Sequence, residues 1–196
     1  MLRIDAILAP VDFSEASGST LRCVCALAHC FHSSITLLHV GPPATELRDR
    51  LEDVGRRELG ETPFAAEVAG GDPARVIVET ARSGRFGLIA MATHGYGPFR
   101  QLLLGSVTTR VLDETECPVF TGAHLENAAG ACHTGFPNVA CAVDLGPKSE
   151  QVARWAAGFT ATVQGRLFLV HAIPSLGAMD ADYYRPDGDV GPAHRG

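Results

Sequence analysis

Apolar runs and stripes at the helical period alternate along the first part of this chain. Ile7-Leu8-Ala9-Pro10-Val11 is a short apolar run that ends at Asp12 and predicts a strand. Ser14 stands where it can cap a following helix, whose apolar face is Leu21, Val24, Cys25, Ala28 and Phe31. Ile35 to Val40 predicts a second strand, closed by Gly41-Pro42-Pro43. A charged helix is expected from about Ala44 to Leu59, with Leu47, Leu51 and Val54 as its buried stripe. Its pairs Glu46–Arg50, Glu52–Arg56 and Asp53–Arg57 set acid before base one helical turn apart, which reads as a solvated face.

A weaker third strand falls around Pro63 to Ala69. Asp72 then caps a helix with Pro73 at its first position, running from Ala74 to Arg82 and ending at Ser83-Gly84. Leu88 to Met91 is a fourth strand, Ser106 to Leu112 a helix, and Pro118-Val119-Phe120 a short fifth strand. Continuous apolar strands suit a parallel sheet covered on both faces. The expected fold is therefore a five-stranded doubly wound α/β sheet over residues 1–123.

Residues 124–137 read as a small-residue, polar linker, after which the pattern restarts. Asn138 to Asp144 resembles the first strand, and Leu167 to His171 resembles Leu37-Leu38-His39. Asp12 and Asp144, His39 and His171, Val11 and Val143 recur at one constant offset. Between them Val152, Trp155, Ala156, Phe159 and Val163 share a helix face. The expected second copy, residues 138–174, is only β-α-β, and the Gly/Pro/Asp-rich residues 175–196 read as a disordered tail.

The 196 residues carry a net charge of -6, which argues against binding a nucleic-acid backbone. The single lysine, Lys148, makes a lysine-dependent mechanism improbable. Met1-Leu2-Arg3-Ile4-Asp5 reaches charge at once, and no apolar run would cross a bilayer, so a cytoplasmic location without membrane contact is expected. The six cysteines show no C-x-x-C pair and are expected to be reduced thiols, mostly buried.

The chemistry concentrates where Leu88-Ile89-Ala90-Met91 runs into Ala92-Thr93-His94-Gly95, followed after nine residues by Gly105-Ser106-Val107-Thr108. Glycines at the bends let a ligand approach the backbone, and a Gly-Ser step opening a helix presents unpaired N–H groups and a hydroxyl, a phosphate-holding arrangement. Neither the Rossmann fingerprint nor the Walker loop is present. No Ser-His-Asp or paired-carboxylate set converges by spacing, so dedicated catalysis and a metal centre are not expected. His94 reads as exposed, Arg100 as the partner of a surface carboxylate rather than of a γ-phosphate, and His39, matched by His171, as a packing or hydrogen-bonding residue.

With Gly95, nine residues, then Gly105-Ser106, and with Pro10-Val11-Asp12-x-Ser14, Leu38-His39-Val40, Gly71-x-Pro73-Ala74 and Cys117-Pro118-Val119, the chain resembles the universal stress protein family. It looks like a tandem member cut short in its second copy. The resemblance implies an ATP- or AMP-binding stress regulator, with Mg²⁺ accompanying a triphosphate and slow hydrolysis at most incidental. Carried over by position, Pro10, Val11, Asp12 and Val40 would flank the adenosine. Met91, Ala92 and Gly95 would line the ribose and the turn to the phosphates, which Gly105, Ser106, Val107 and Thr108 would hold.

Ala92 departs from the family's glycine. Were that position left-handed, alanine would cost about 1–2 kcal/mol and weaken binding roughly tenfold. That departure favours the rival reading, a dimeric interaction module that binds no nucleotide. An adenylyl transferase ranks below both, for want of activating residues. The resemblance also implies a homodimer through the fifth strand, residues 118–121, whose edge the short second copy leaves unpaired.

Overall fold

The computed structural model describes residues 2–93, 104–122 and 135–173. The apolar runs become β1 (Ala6–Pro10), β2 (Ser34–Val40), β3 (Phe64–Ala69), β4 (Leu88–Ala92) and β5 (Val119–Gly122). All neighbouring pairs are parallel, and the sheet order is β3-β2-β1-β4-β5. β1 lies at the centre because the chain first winds outward through β2 and β3. It then returns to place β4 on β1's other side.

The helices cover both faces. On one face α1 (Glu15–Phe31) and α2 (Thr45–Leu59) pack Leu21, Val24, Leu27, Leu51 and Val54 against Ile7, Ala9, Ile35 and Leu37. On the other, α3 (Pro73–Ser83) and α4 (Ser106–Glu114) pack Ala74, Ile77, Val78, Ala81 and Val111 against Leu8, Leu38, Ile89 and Met91. Alternate strand residues thus feed two separate apolar layers. Gly55 brings α2 close to the sheet, since a Cβ there would run into the Phe64 ring.

A second copy of the opening strand–helix pattern stands after β5. β6 (Asn138–Ala142), α5 (Ser149–Thr162) and β7 (Arg166–Val170) form a β-α-β unit with a two-stranded parallel sheet. Its backbone repeats the first unit in detail. Ala6 pairs with Ser34, and Asn138 with Arg166. Val11 N–H donates to Leu38 O at 2.9 Å, and Val143 N–H to Val170 O at 2.9 Å. Phe13 and Leu145 are both left-handed, at φ 63° and 62°, as are His32 and Gln164, at 56° and 55°. An aromatic cluster joins this unit to the main sheet: Phe159 lies 5.6 Å from Phe31, 5.7 Å from Phe136 and 5.4 Å from Trp155, and Phe136 lies 6.4 Å from Phe120.

Three expectations need correction. On α2 the Glu52–Arg56 pair forms at 2.7 Å, but Arg50 lies over the Phe13 ring at 4.2 Å and Arg57 pairs with Glu58 at 2.8 Å. A nearby aromatic face and a half-shielded carboxylate compete successfully with the exposed helical partners Glu46 and Asp53. Cys25, Cys30, Cys117 and Cys141 are free thiols, but buried Cys23 is disulfide-bonded, against the all-reduced reading. Helix α4 also runs one half-turn beyond Leu112, to Glu114. Residues 124–134 of the expected linker, Cys132 among them, and the expected tail from 175 lie outside the described residues.

The aromatic cluster sets an expected outcome. Phe159→Ala removes the ring shared by Phe31, Phe136 and Trp155, and should destabilise the chain by roughly 2 kcal/mol, below the 3–5 typical of a fully buried Phe. Urea unfolding checks the magnitude. Amide exchange should accelerate in β6-α5-β7 and not in β1 or β4.

Candidate functional site

Four helices begin at the carboxyl edge of the main sheet. Of these, α2 starts after Ala44 without a side-chain cap and lines none of the crevice at that edge, and the other three differ in how their first turns are satisfied. Ser14 caps α1, its hydroxyl accepting from Ser17 N–H at 3.2 Å. Asp12 braces that cap: its Oδ1 accepts from Ser14 N–H at 3.0 Å and from Ser14 Oγ at 2.6 Å. Asp72 caps α3, accepting from Arg75 N–H at 3.0 Å, with Pro73 following. Helix α4 follows Gly105 and has no side-chain cap. Among the described residues the N–H groups of Ser106, Val107 and Thr108 have no acceptor. Such groups carry the positive end of the helix dipole.

Two bonds fix where that uncapped turn sits. Gly105 N–H donates to Thr93 O at 2.8 Å, and the buried Thr108 hydroxyl donates to Ala92 O at 3.1 Å. The start of α4 is thereby tied to the end of β4. Thr108 contributes to the crevice through its backbone, because its hydroxyl is already engaged. Thr109 is exposed.

A cavity of about 560 Å³ opens beside this turn, above the split between β1 and β4. The end of β1 supplies Pro10, Val11 and Asp12, and the end of β2 supplies Val40. Met91 and Ala92 come from β4, and Gly105, Ser106, Val107 and Thr108 from the start of α4. Every candidate residue within the described residues therefore meets in one place. Gly95, His94 and Arg100 lie outside the described residues. Ala92 is not left-handed; it is the last residue of β4, paired with Gly122. The conformational cost that a left-handed alanine would carry does not arise.

Six further residues line the cavity without having been singled out as ligand contacts: Ser17, Leu38, His39, Pro73, Ile77 and Leu104. Leu38 and His39 precede Val40 at the same strand end, and Ile77 lies one turn into α3, so strand and helix periods pointed to them. Leu104 gave no such signal. His39 Nδ1 lies 2.7 Å from Val11 O, and its ring packs 4.3 Å from Phe13 beneath Arg50. His171 makes the same contact with Val143 O at 2.9 Å, and neither residue lines this cavity. This bond belongs to the β-α-β unit itself.

The walls are mostly apolar, and Asp12 is the one charged residue among the described lining. Any negative ligand charge would thus meet backbone dipoles rather than a lysine or arginine from these residues. No cluster of three or more His, Cys, Asp or Glu stands at metal-binding distance among the described residues. Outside the cavity Asp72 also links two helices: Arg110 of α4 donates to its Oδ2 at 2.9 Å while Oδ1 caps α3. The Arg110 guanidinium first, then the Arg75 N–H, holds the Asp72 carboxyl below its ordinary value.

Comparison with known proteins agrees with this geometry. The model of the universal stress protein family matches residues 3–121. Universal stress protein MJ0531 of Methanocaldococcus jannaschii is 29% identical over 133 residues, covering 58% of this chain and 78% of that protein. The solved structure of the protein MJ0577 superposes with a TM-score of 0.55 at 27% identity, over 61% of this chain and 96% of its own. A universal stress protein solved in complex with cAMP shares the fold at 18% identity and a TM-score of 0.52, over 62% and 98%. No helix among the described residues is long and apolar enough to cross a membrane.

The Asp72 link is directly measurable. Its folded pKa lies below the unfolded value of 3.8, so the stabilisation is present above that value and is lost as pH falls through the folded one. Carboxyl-carbon NMR should show Asp72 titrating below 3.8. Arg110→Ala should move it back upward, and its effect on stability should fade in the same acid range.

Proposed function

The chain belongs to the universal stress protein family, and from there we propose that it is a regulator that binds ATP or AMP in the β1/β4 crevice. One observation carries this reading: an uncapped helix start, pinned to β4, beside an apolar crevice at the switch point of a parallel sheet. Val11, Leu38, Val40 and Met91 offer a flat heteroaromatic ring an apolar slot. The free amides of Ser106, Val107 and Thr108 suit the phosphate that follows. A family relative solved with cAMP supports an adenine nucleotide as the class.

Asp12 keeps one carboxylate oxygen, Oδ2, clear of its brace on Ser14 and available to a ribose hydroxyl. Mg²⁺, where a triphosphate brings it, would be held chiefly by the phosphates with the Ser106 hydroxyl nearby, since Asp12 is the lone lining carboxylate. The protein is read as a cytoplasmic stress-response switch whose output is binding to other proteins, with any hydrolysis slow and incidental. Ala92 favours the second reading, an interaction module that binds no nucleotide. Its ordinary strand conformation weakens that case.

Titration of the chain with ATP and with AMP should saturate. An absence of saturable binding at millimolar nucleotide removes the proposed function and leaves the fold. Ser106→Pro deletes one of the free donors at a position where proline suits a helix start, and should reduce affinity roughly tenfold with unchanged helicity. Ser106→Ala, which keeps the N–H, should cost less than Ser106→Pro. Ala92→Gly tests the departure from the family pattern: a change of less than about tenfold is expected, because no left-handed strain is relieved.

A further inference from the structure

Among the described residues two ion pairs join one helix to another. Arg22 of α1 meets Glu58 of α2 at 2.7 Å, and Arg110 of α4 meets Asp72 at the cap of α3 at 2.9 Å. Neither Arg22 nor Glu58 lines the crevice. The second pair is placed differently. Asp72 is followed by Pro73, with Ile77 one turn further on, and both of these line the crevice. Arg110 stands one turn after the lining residue Ser106, on the same face of α4. This bridge therefore ties together two helices that build the site.

The two helices are seated unequally. α3 buries Ala74, Ile77, Val78 and Ala81. α4 buries Thr108 and Val111, while its Leu112 is 41% exposed. The tethers from Gly105 N–H to Thr93 O and from the Thr108 hydroxyl to Ala92 O both lie in the first turn. They fix where α4 begins and leave its axis to be set further along. Val111 sets its height above the sheet, packed with Leu8, Ile89 and Met91. Arg110 sets its sideways position, because Nη1 donates to Asp72 Oδ2. Nε and Nη2 of the same guanidinium donate to Glu114 Oε1, both at 3.4 Å. A guanidinium already steadied from its own helix loses less freedom when it forms the bridge.

We propose that Arg110 and Asp72 are positioning residues for the phosphate end of the crevice: their bridge sets the tilt of α4 and so the aim of its first amides. The inference rests on the nucleotide reading above and deepens it. Amides of a helix point along its axis, so the axis decides how Ser106, Val107 and Thr108 N–H meet a phosphate. Hydrogen bonds weaken steeply as the donor angle closes, so a small tilt takes affinity from the phosphate. The apolar slot of Val11, Val40 and Met91 belongs to strand ends and is unaffected. The bridge thus acts on the ratio between the dissociation constants of adenosine and AMP.

Titration with adenosine and with AMP tests this. Arg110→Ala should lower AMP affinity about threefold to fivefold and change adenosine affinity by less than about twofold. Asp72→Asn keeps a capping oxygen for α3 but gives up the ion pair, and should lower AMP affinity as well. Were Arg110 acting only as a distant positive charge, Asp72→Asn would instead raise it. Arg110→Lys should restore AMP affinity to within about twofold of the parent, and Arg22→Ala should leave it unchanged. Residual dipolar couplings of α4 relative to the main sheet read the tilt in the nucleotide-free chain. Arg110→Ala should shift them and Arg110→Lys should restore them. Three results overturn the proposal: AMP affinity indifferent to Arg110→Ala, adenosine affinity falling in parallel with it, or AMP affinity raised by Asp72→Asn. A parent chain that binds neither nucleotide removes the site reading, and the couplings then judge the bridge alone. Unchanged couplings in Arg110→Ala overturn its hold on α4, and shifted ones sustain it.

Discussion

The first turn of α4 is held by two carbonyls at the end of β4, and the site exists because of that attachment. Thr93 O takes the Gly105 amide and Ala92 O takes the Thr108 hydroxyl. Among the described residues the amides of Ser106, Val107 and Thr108 meet no acceptor, and all three residues line the crevice. Of the other helices at this edge, α1 and α3 bring their own acceptors, Ser14 and Asp72, and α2, which has no side-chain cap, lines none of the crevice. An uncapped helix start that also lines the crevice is found, among these four, at α4.

The apolar half of the crevice follows from the winding of the sheet. β1 sends the chain one way and β4 the other, so no connection crosses above their junction. Val11, Val40 and Met91 therefore reach the carboxyl edge without a helix to cover them. The adenine nucleotide proposed here needs this combination: walls for the base and amides for the phosphate.

Much of this was legible from residue patterns. The Ser14 and Asp72 caps are local, governed by a side chain reaching amides two or three residues on, and both form as the sequence implied. The strand ends carrying Pro10, Val40 and Met91 followed from apolar runs. What sequence withheld was competition between distant partners. Arg50 leaves a helical acid for the Phe13 ring, and Thr108 turns its hydroxyl inward to β4. Neither choice is visible without knowing which elements adjoin. The left-handed Phe13 gave no sign either, since phenylalanine is a poor candidate for that conformation.

The β6-α5-β7 unit copies the strand-end geometry of β1-α1-β2 down to its histidine–carbonyl contact, yet it lines no part of the β1/β4 crevice. The molecule thus carries a blank beside its sample. A spectroscopic perturbation felt equally at both histidines reports solvent, temperature or backbone breathing. One felt at His39 while His171 stays silent reports occupancy, and needs no second protein for reference.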